Sequence, residues 1–219
     1  MIVLGDVEKN KIIRAYIEKA NETLGVIGYT EHGKRHSHIV ARDARKILKE
    51  LGREEKFCEL AAISGYLHDI GNVISRESHA QTGAIMAHIV LTQMGMDIDD
   101  IAEVITAIGN HHEEDGLPVS DVTAALILAD KADVHRSRVR NPKFIKFDIH
   151  DRVNYSTESS VLKVERKDRI ISLDISIDTS ISSVMEYFEI FLSRMTVSRK
   201  SADFLGCRFE LIINGSKMI

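Results

Sequence analysis

The sequence predicts a mostly α-helical protein with a small α+β appendage at its carboxyl end (a β-hairpin, a helix and a strand). Three observations carry this. Apolar residues recur at helical spacing as far as about residue 140. The chain holds only two prolines in 219 residues, which suits a helix-rich fold. Past residue 155 the pattern switches to strict alternation, in SVLKVERKDRIISLDISID. We place the division at about residue 150, with a helical domain over 1–150 and the α+β domain over 151–219.

The elements follow in order. Asp6 precedes VEKNKIIRAYIEKANETLG, with a stripe at 12, 13, 17, 20 and 24 and a stop at Gly25. RHSHIVARDARKILKELG places Ile39, Val40, Ala44, Ile47, Leu48 and Leu51 on one face, and Gly52 ends it. Residues 54–70 form the next helix, closed by Gly71. Ser78 caps a helix through HAQTGAIMAHIVLTQMG, Asp97 caps IDDIAEVITAIGNHH, and Ser120 caps SDVTAALILADKADVHRSRV after the turn at EEDGLP. This gives six helices, then an irregular link. The alternating stretch around Lys167 and Asp168 reads as a hairpin, SISSVMEYFEIFLSRMTVSRKSADFLG as a helix, and CRFELIING as a strand.

Composition excludes several classes. Net charge is −4 and no basic run is present, which argues against a nucleic-acid polymer as partner. No stretch approaches a membrane span, and the first residues do not read as a signal peptide. Cys58 and Cys207 form no paired motif, which fits a reducing, cytoplasmic setting.

The ten histidines ask for a reason. His36 sits near the start of one helix, His68 and Asp69 end the next, His79 opens the fourth, His111 and His112 end the fifth, and Asp130 lies in the apolar run AALILAD. Buried imidazoles and carboxylates are unfavourable unless paired or bound to a cation. Facing helices of a bundle build metal sites from such side chains. Seven ligands exceed the need of one tetrahedral ion and suit two divalent transition-metal ions, drawn from Fe, Mn, Ni, Co or Zn. His38 and His88 point away at helical spacing. His32, one turn before His36, would overlook the site if the helix ran through Gly33.

The strings RHSHIVA, LHDIGN, NHHEEDG and ILADKAD resemble, in this order, the HD-domain metal-dependent phosphohydrolase superfamily. The resemblance covers roughly residues 30–140, and with His79 and His111-His112 it extends to the dinuclear subset that includes the HD-GYP phosphodiesterases. It implies an HD-domain helical bundle in which His36, His68, Asp69 and Asp130 hold one metal. Asp69 would bridge to a second ion held by His79, His111 and His112. Asn72 stands where HD-GYP proteins commonly carry lysine, and LPVS follows HHEEDG, so the GYP signature is absent.

The implied activity is metal-dependent hydrolysis of a phosphate mono- or diester on a small substrate, a nucleotide among the candidates. Asp69 sets the metal spacing, and Lys131 or His135 protonates the leaving oxygen. Arg138 and Arg140, with Lys131, are the expected phosphate anchors. Asp133, on the face of Asp130, orients a basic group or a ligand on the substrate side. Two rivals use the same residues: a di-iron oxygenase of the same superfamily, and a nucleotide-binding regulatory module without turnover. The strand edge in the tail invites a homodimer.

Overall fold

The structure, a computed structural model, describes residues 2–113 and 116–219. Seven α-helices precede residue 133: α1 (Leu4–Lys9), α2 (Lys11–Val26), α3 (Lys34–Glu50), α4 (Glu55–Leu67), α5 (His79–Gln93), α6 (Ile98–Gly109) and α7 (Asp121–Ala132). The expected first helix is thus two. Asn10 breaks it, because its side chain accepts from the amides of Ile12 and Ile13 and starts a new helix there. The turn expected at EEDGLP falls partly on residues 114 and 115, outside the described residues.

Burial ranks the helices. Every residue of α4 from Cys58 to Leu67 is buried, and so is every residue of α7 from Val122 to Ala132. These two central helices touch each other and α3, while α6 packs on both and α5 packs on α6. The outer helices keep one apolar stripe each. In α3 this is Val40, Ala41, Ala44, Ile47 and Leu48. Gly65 lets α3 and α4 approach closely, since a Cβ there would lie 2.8 Å from the amide nitrogen of Ala41.

The link after α7 is more ordered than its composition suggests. Two 3-10 turns (Arg136–Arg138 and Pro142–Phe144) lead into α8 (Ile149–Ser156), whose amides are capped by Asp148. Strands β1 (Thr157–Glu165) and β2 (Ile170–Ile177) form the expected antiparallel hairpin, pairing Leu162 with Leu173. Helix α9 (Val184–Phe204) then crosses over to β3 (Arg208–Ile213), which runs parallel to β2 and pairs Leu173 with Leu211. A short β4 (Ser216–Lys217) closes the order β1-β2-β3-β4.

The sheet's inner face is formed by Ile171, Leu173, Ile175, Phe209, Leu211 and Ile213, all buried. They join one hydrophobic cluster with the helical core. α9 is the link: it packs on β3 and on α7. The architecture is therefore a mostly α-helical bundle with a small α+β appendage. Among the described residues no helix is long and apolar enough to cross a membrane. Cys58 and Cys207 are free and buried.

Candidate metal centre

The turn after α4 builds the site. α4 stops at Leu67, three residues short of its expected end; His68 keeps helical angles, and Asp69 (φ −98°, ψ 2°) turns the chain into a 3-10 segment, Ile70–Val73. That segment lies against the start of α5. A Cβ on Gly71 would fall 2.1 Å from the carbonyl oxygen of His79, so only glycine permits the approach. Asn72 then fixes the aspartate, donating from Nδ2 to Asp69 Oδ1 at 2.8 Å. His111 and His112 lie just past the end of α6, in a loop rather than on the helix.

Six imidazoles form a chain of edge-to-face neighbours: His32, His36, His68, His111, His79 and His112, with ring centroids 5.0–5.4 Å apart. Five of them are oriented from behind. His32 Nδ1 donates to the Thr30 carbonyl at 2.7 Å. His36 Nδ1 donates to Asp133 Oδ2 at 2.7 Å, His68 Nδ1 to the Gly65 carbonyl at 2.8 Å, His79 Nδ1 to the Arg76 carbonyl at 3.0 Å and His111 Nδ1 to the Ile108 carbonyl at 2.6 Å. Each acceptor assigns the hydrogen to Nδ1, which leaves the Nε2 lone pair facing inward. Outer partners of this kind hold metal-ligating histidines.

The inward atoms converge. His36 Nε2 lies 3.2 Å from His68 Nε2, 3.3 Å from Asp130 Oδ1 and 3.7 Å from Asp69 Oδ2. His68 Nε2 lies 3.4 Å from Asp69 Oδ2 and 3.6 Å from Asp130 Oδ1. The other Asp69 oxygen, Oδ1, lies 3.6 Å from His79 Nε2. The ligand atoms of two sets, His36/His68/Asp130 and His68/Asp69/His111, all lie within 4.8 Å of one another. Two imidazole lone pairs aimed at each other between two carboxylates repel unless a cation or a shared proton lies among them. Nitrogen and oxygen donors in this mixture suit divalent transition metals.

The electrostatics agree. Burial lowers the proton affinity of His68, but the charges of Asp69 and Asp130 outweigh it and raise its pKa. Burial alone would raise the Asp69 and Asp130 carboxyls; His68, with His32 and His79, holds Asp69 well below the ordinary range, and Lys131, with His36 and His68, does the same for Asp130. Burial dominates at His111 and His32, whose pKa values fall well below normal, and takes His79 down to about 4.

The remaining expected site residues sit at different distances from this centre. Lys131 reaches both Asp130 Oδ2 and Glu113 Oε2 at 2.6 Å. Asp133 lies one layer out, behind His36, where Arg35 grips it with two nitrogens at 3.0–3.2 Å. Arg138 lines the cleft above the centre. Arg140 turns to Tyr29, Thr30 and Asn21, and His135 bonds to Ser137 Oγ and the Glu158 carbonyl; neither lines the cleft.

That cleft has a volume of ≈ 1200 Å³ and is also lined by His32, Arg76, His79, His112, Glu113 and Arg194. Arg76 Nη1 lies 3.9 Å from Asp69 Oδ1 and 3.4 Å from His79 Nε2. Arg194, on α9, brings the appendage to the site, with Nε 3.5 Å from Glu113 Oε1. The sequence reading missed Arg76, Arg194 and Glu113. No local pattern marks them, because they reach the cleft only through tertiary packing. His32 does overlook the site, although Gly33 caps α3 and leaves it outside the helix.

A helical bundle with a buried His/Asp centre of metal-binding type is the class these features define. Residues 34–136 match the family model of the HD domain. Domains of this family bind divalent metals, and the two His/Asp clusters are the groups here that fit them. The chain is 29% identical to an uncharacterized protein of Methanocaldococcus jannaschii over 191 residues, 76% of this chain and 71% of that one. It is 35% identical to ribonuclease Y of Lawsonia intracellularis over 108 residues, 48% of this chain but only 18% of the relative. A solved structure of a predicted HD superfamily hydrolase from an uncultured Thermotogales bacterium is 27% identical, covering 62% of this chain and 75% of that one, with a TM-score of 0.45.

Proposed function

We propose that the protein is a metal-dependent phosphohydrolase. His36, His68, Asp69 and Asp130 would hold one divalent ion, and Asp69 would share its second oxygen with another ion at His79, His111 and His112. One observation carries this reading: the Nε2 atoms of His36 and His68 face each other at 3.2 Å between two carboxylates, with both Nδ1 hydrogens committed elsewhere. Asp69 turns Oδ2 toward His36 and His68 and Oδ1 toward His79, which supports a bridging role.

Metal ions bound there supply Lewis-acid activation of water and of a phosphoryl group. The chain's own residues do the rest. Asn72 and Asp133 hold the ligands in orientation. Arg76 and Arg194 offer guanidiniums to substrate oxygens at the cleft. Lys131, 4% exposed, neutralises Asp130 and Glu113 and is the nearest ammonium to the centre for proton delivery to a leaving oxygen. The substrate we favour is a small phosphate ester such as a nucleotide, since the cleft is of a size for one and its charges are of both signs.

A second reading takes RNA as the substrate. The matches to ribonucleases Y favour it, although they span less than a quarter of those proteins. A panel of nucleotides, sugar phosphates, a cyclic dinucleotide and a single-stranded oligoribonucleotide, run with the native metal, separates the two. The proposal expects phosphate release that Asp69→Ala abolishes together with metal loading. Full turnover in Asp69→Ala would end it.

A further inference from the structure

The cleft carries more positive charge than a set of metal ligands explains. Three guanidiniums line it from three separate parts of the chain: Arg76 ahead of α5, Arg138 in the turn after α7, and Arg194 on α9. Two are engaged with neighbours. Arg194 lies over the Phe191 ring at 4.4 Å and beside Glu113, and Arg76 lies over the Tyr29 ring at 5.3 Å.

Arg138 differs. It is 2% exposed. Its Nε donates to the Glu31 carbonyl at 3.0 Å and its Nη1 to the Asp133 carbonyl at 2.7 Å, while its Nη2 is buried and has no hydrogen-bond partner among the described residues. Among the described residues the one carboxylate within reach, Asp133, stands 3.8 Å from Nε and is already shared by Arg35 and His36. A buried cationic donor without a partner calls for a ligand that completes it. Arg138 is held rigidly by two backbone carbonyls, so its free nitrogen is preorganised. Two further features identify the ligand as an anion. Arg138 and Arg76 both act electrostatically on His32, so their fields overlap where His32 lines the cleft. And a guanidinium fork matches phosphate oxygens in geometry as well as charge.

The position relative to the metal centre decides what kind of anion. His32 is the first ring of the imidazole chain and lies one ring beyond the ligand His36, with centroids 5.4 Å apart. An anion at this end is adjacent to the metal centre and distinct from it.

We propose that Arg138, assisted by Arg76, forms a second anion station in the cleft that takes a phosphate group of the substrate other than the one presented to the metals. The substrate class is then a small molecule with two phosphate groups. The assignment to a substrate rests on the phosphohydrolase reading; the station itself does not.

Inorganic phosphate is the probe, titrated calorimetrically into the full chain as purified and again after chelation. The station predicts that chelated protein still binds phosphate. Arg138→Met should weaken that binding at least tenfold, Arg76→Ala should weaken it less, and Arg138→Lys should keep part of it. Arg136→Ala, an arginine two residues away that pairs with Glu158, should leave it unchanged. Circular dichroism confirms that each variant is folded, and Arg76→Ala carries the test if Arg138→Met is not. Loss of all phosphate binding on chelation overturns the station. So does wild-type affinity in the folded Arg138 and Arg76 variants. Failure of the hydrolytic reading would show differently, as absence of turnover in a protein that still binds phosphate after chelation.

Discussion

Asp133→Asn isolates the layer behind the metal ligands. Asp133 Oδ2 accepts the Nδ1 hydrogen of His36 at 2.7 Å, a charge-assisted bond that keeps His36 Nε2 directed inward. A hydrogen bond to a charged group contributes about 1.5–3 kcal/mol. Loss of such an outer partner typically lowers metal affinity ~10–100-fold, which is ~1.4–2.8 kcal/mol at 1.4 kcal/mol per decade. The two figures agree. Asparagine keeps an acceptor oxygen but loses the charge, so the expected loss is near tenfold; Asp133→Ala, which loses both, should approach a hundredfold. The measurement is competition for the metal against a chelator of known affinity, with thermal melts alongside. The carboxylate also holds Arg35 and Arg138, so the melting temperature should fall as well. Unchanged metal affinity in a folded Asp133→Ala would refute the claim that this layer orients a ligand.

Gly71→Ala should disrupt the site through backbone contact alone, because its Cβ would meet the His79 carbonyl at 2.1 Å and the Gly83 nitrogen at 2.6 Å; metal content and melting temperature should both drop. Phe191→Ala removes a buried ring that joins appendage to bundle and supports Arg194, and should destabilise by about 3–5 kcal/mol in urea melts. Stability of the chelated protein should fall as pH drops below about 6.5. Burial lowers the pKa of His32, His111 and His79, the last to about 4, so the unfolded chain takes up these protons first and is favoured as they bind. His68, whose pKa is raised, opposes the trend with one group against three. A stability profile flat from pH 7 to pH 5 would contradict this.

Much of the site was legible because its residue types are out of place. Asp130 sits in an apolar run, and the His68-Asp69 pair ends a buried helix; both ask for a partner on sequence alone. The hairpin, the long helix α9 and strand β3 were legible from periodicity. The break at Asn10 was not, since an uninterrupted apolar stripe hides a capping side chain. The early end of α4 was hidden for a related reason: a 3-10 segment carries the same apolar spacing over so few residues. The order in the link after α7, including α8, comes from contacts with distant elements. Arg194 shows the limit most plainly. Nothing in RMTVSRK marks it, and only the crossover of α9 onto α7 brings it to Glu113.

The central claim is that the His/Asp centre holds divalent metal. Elemental analysis of the native protein, with Asp69→Ala and His68→Ala prepared alongside, tests it most directly. The account predicts up to two transition-metal ions per chain in the native protein and loss of metal in both variants. A native protein with no bound metal, or variants that retain the native content, would contradict it.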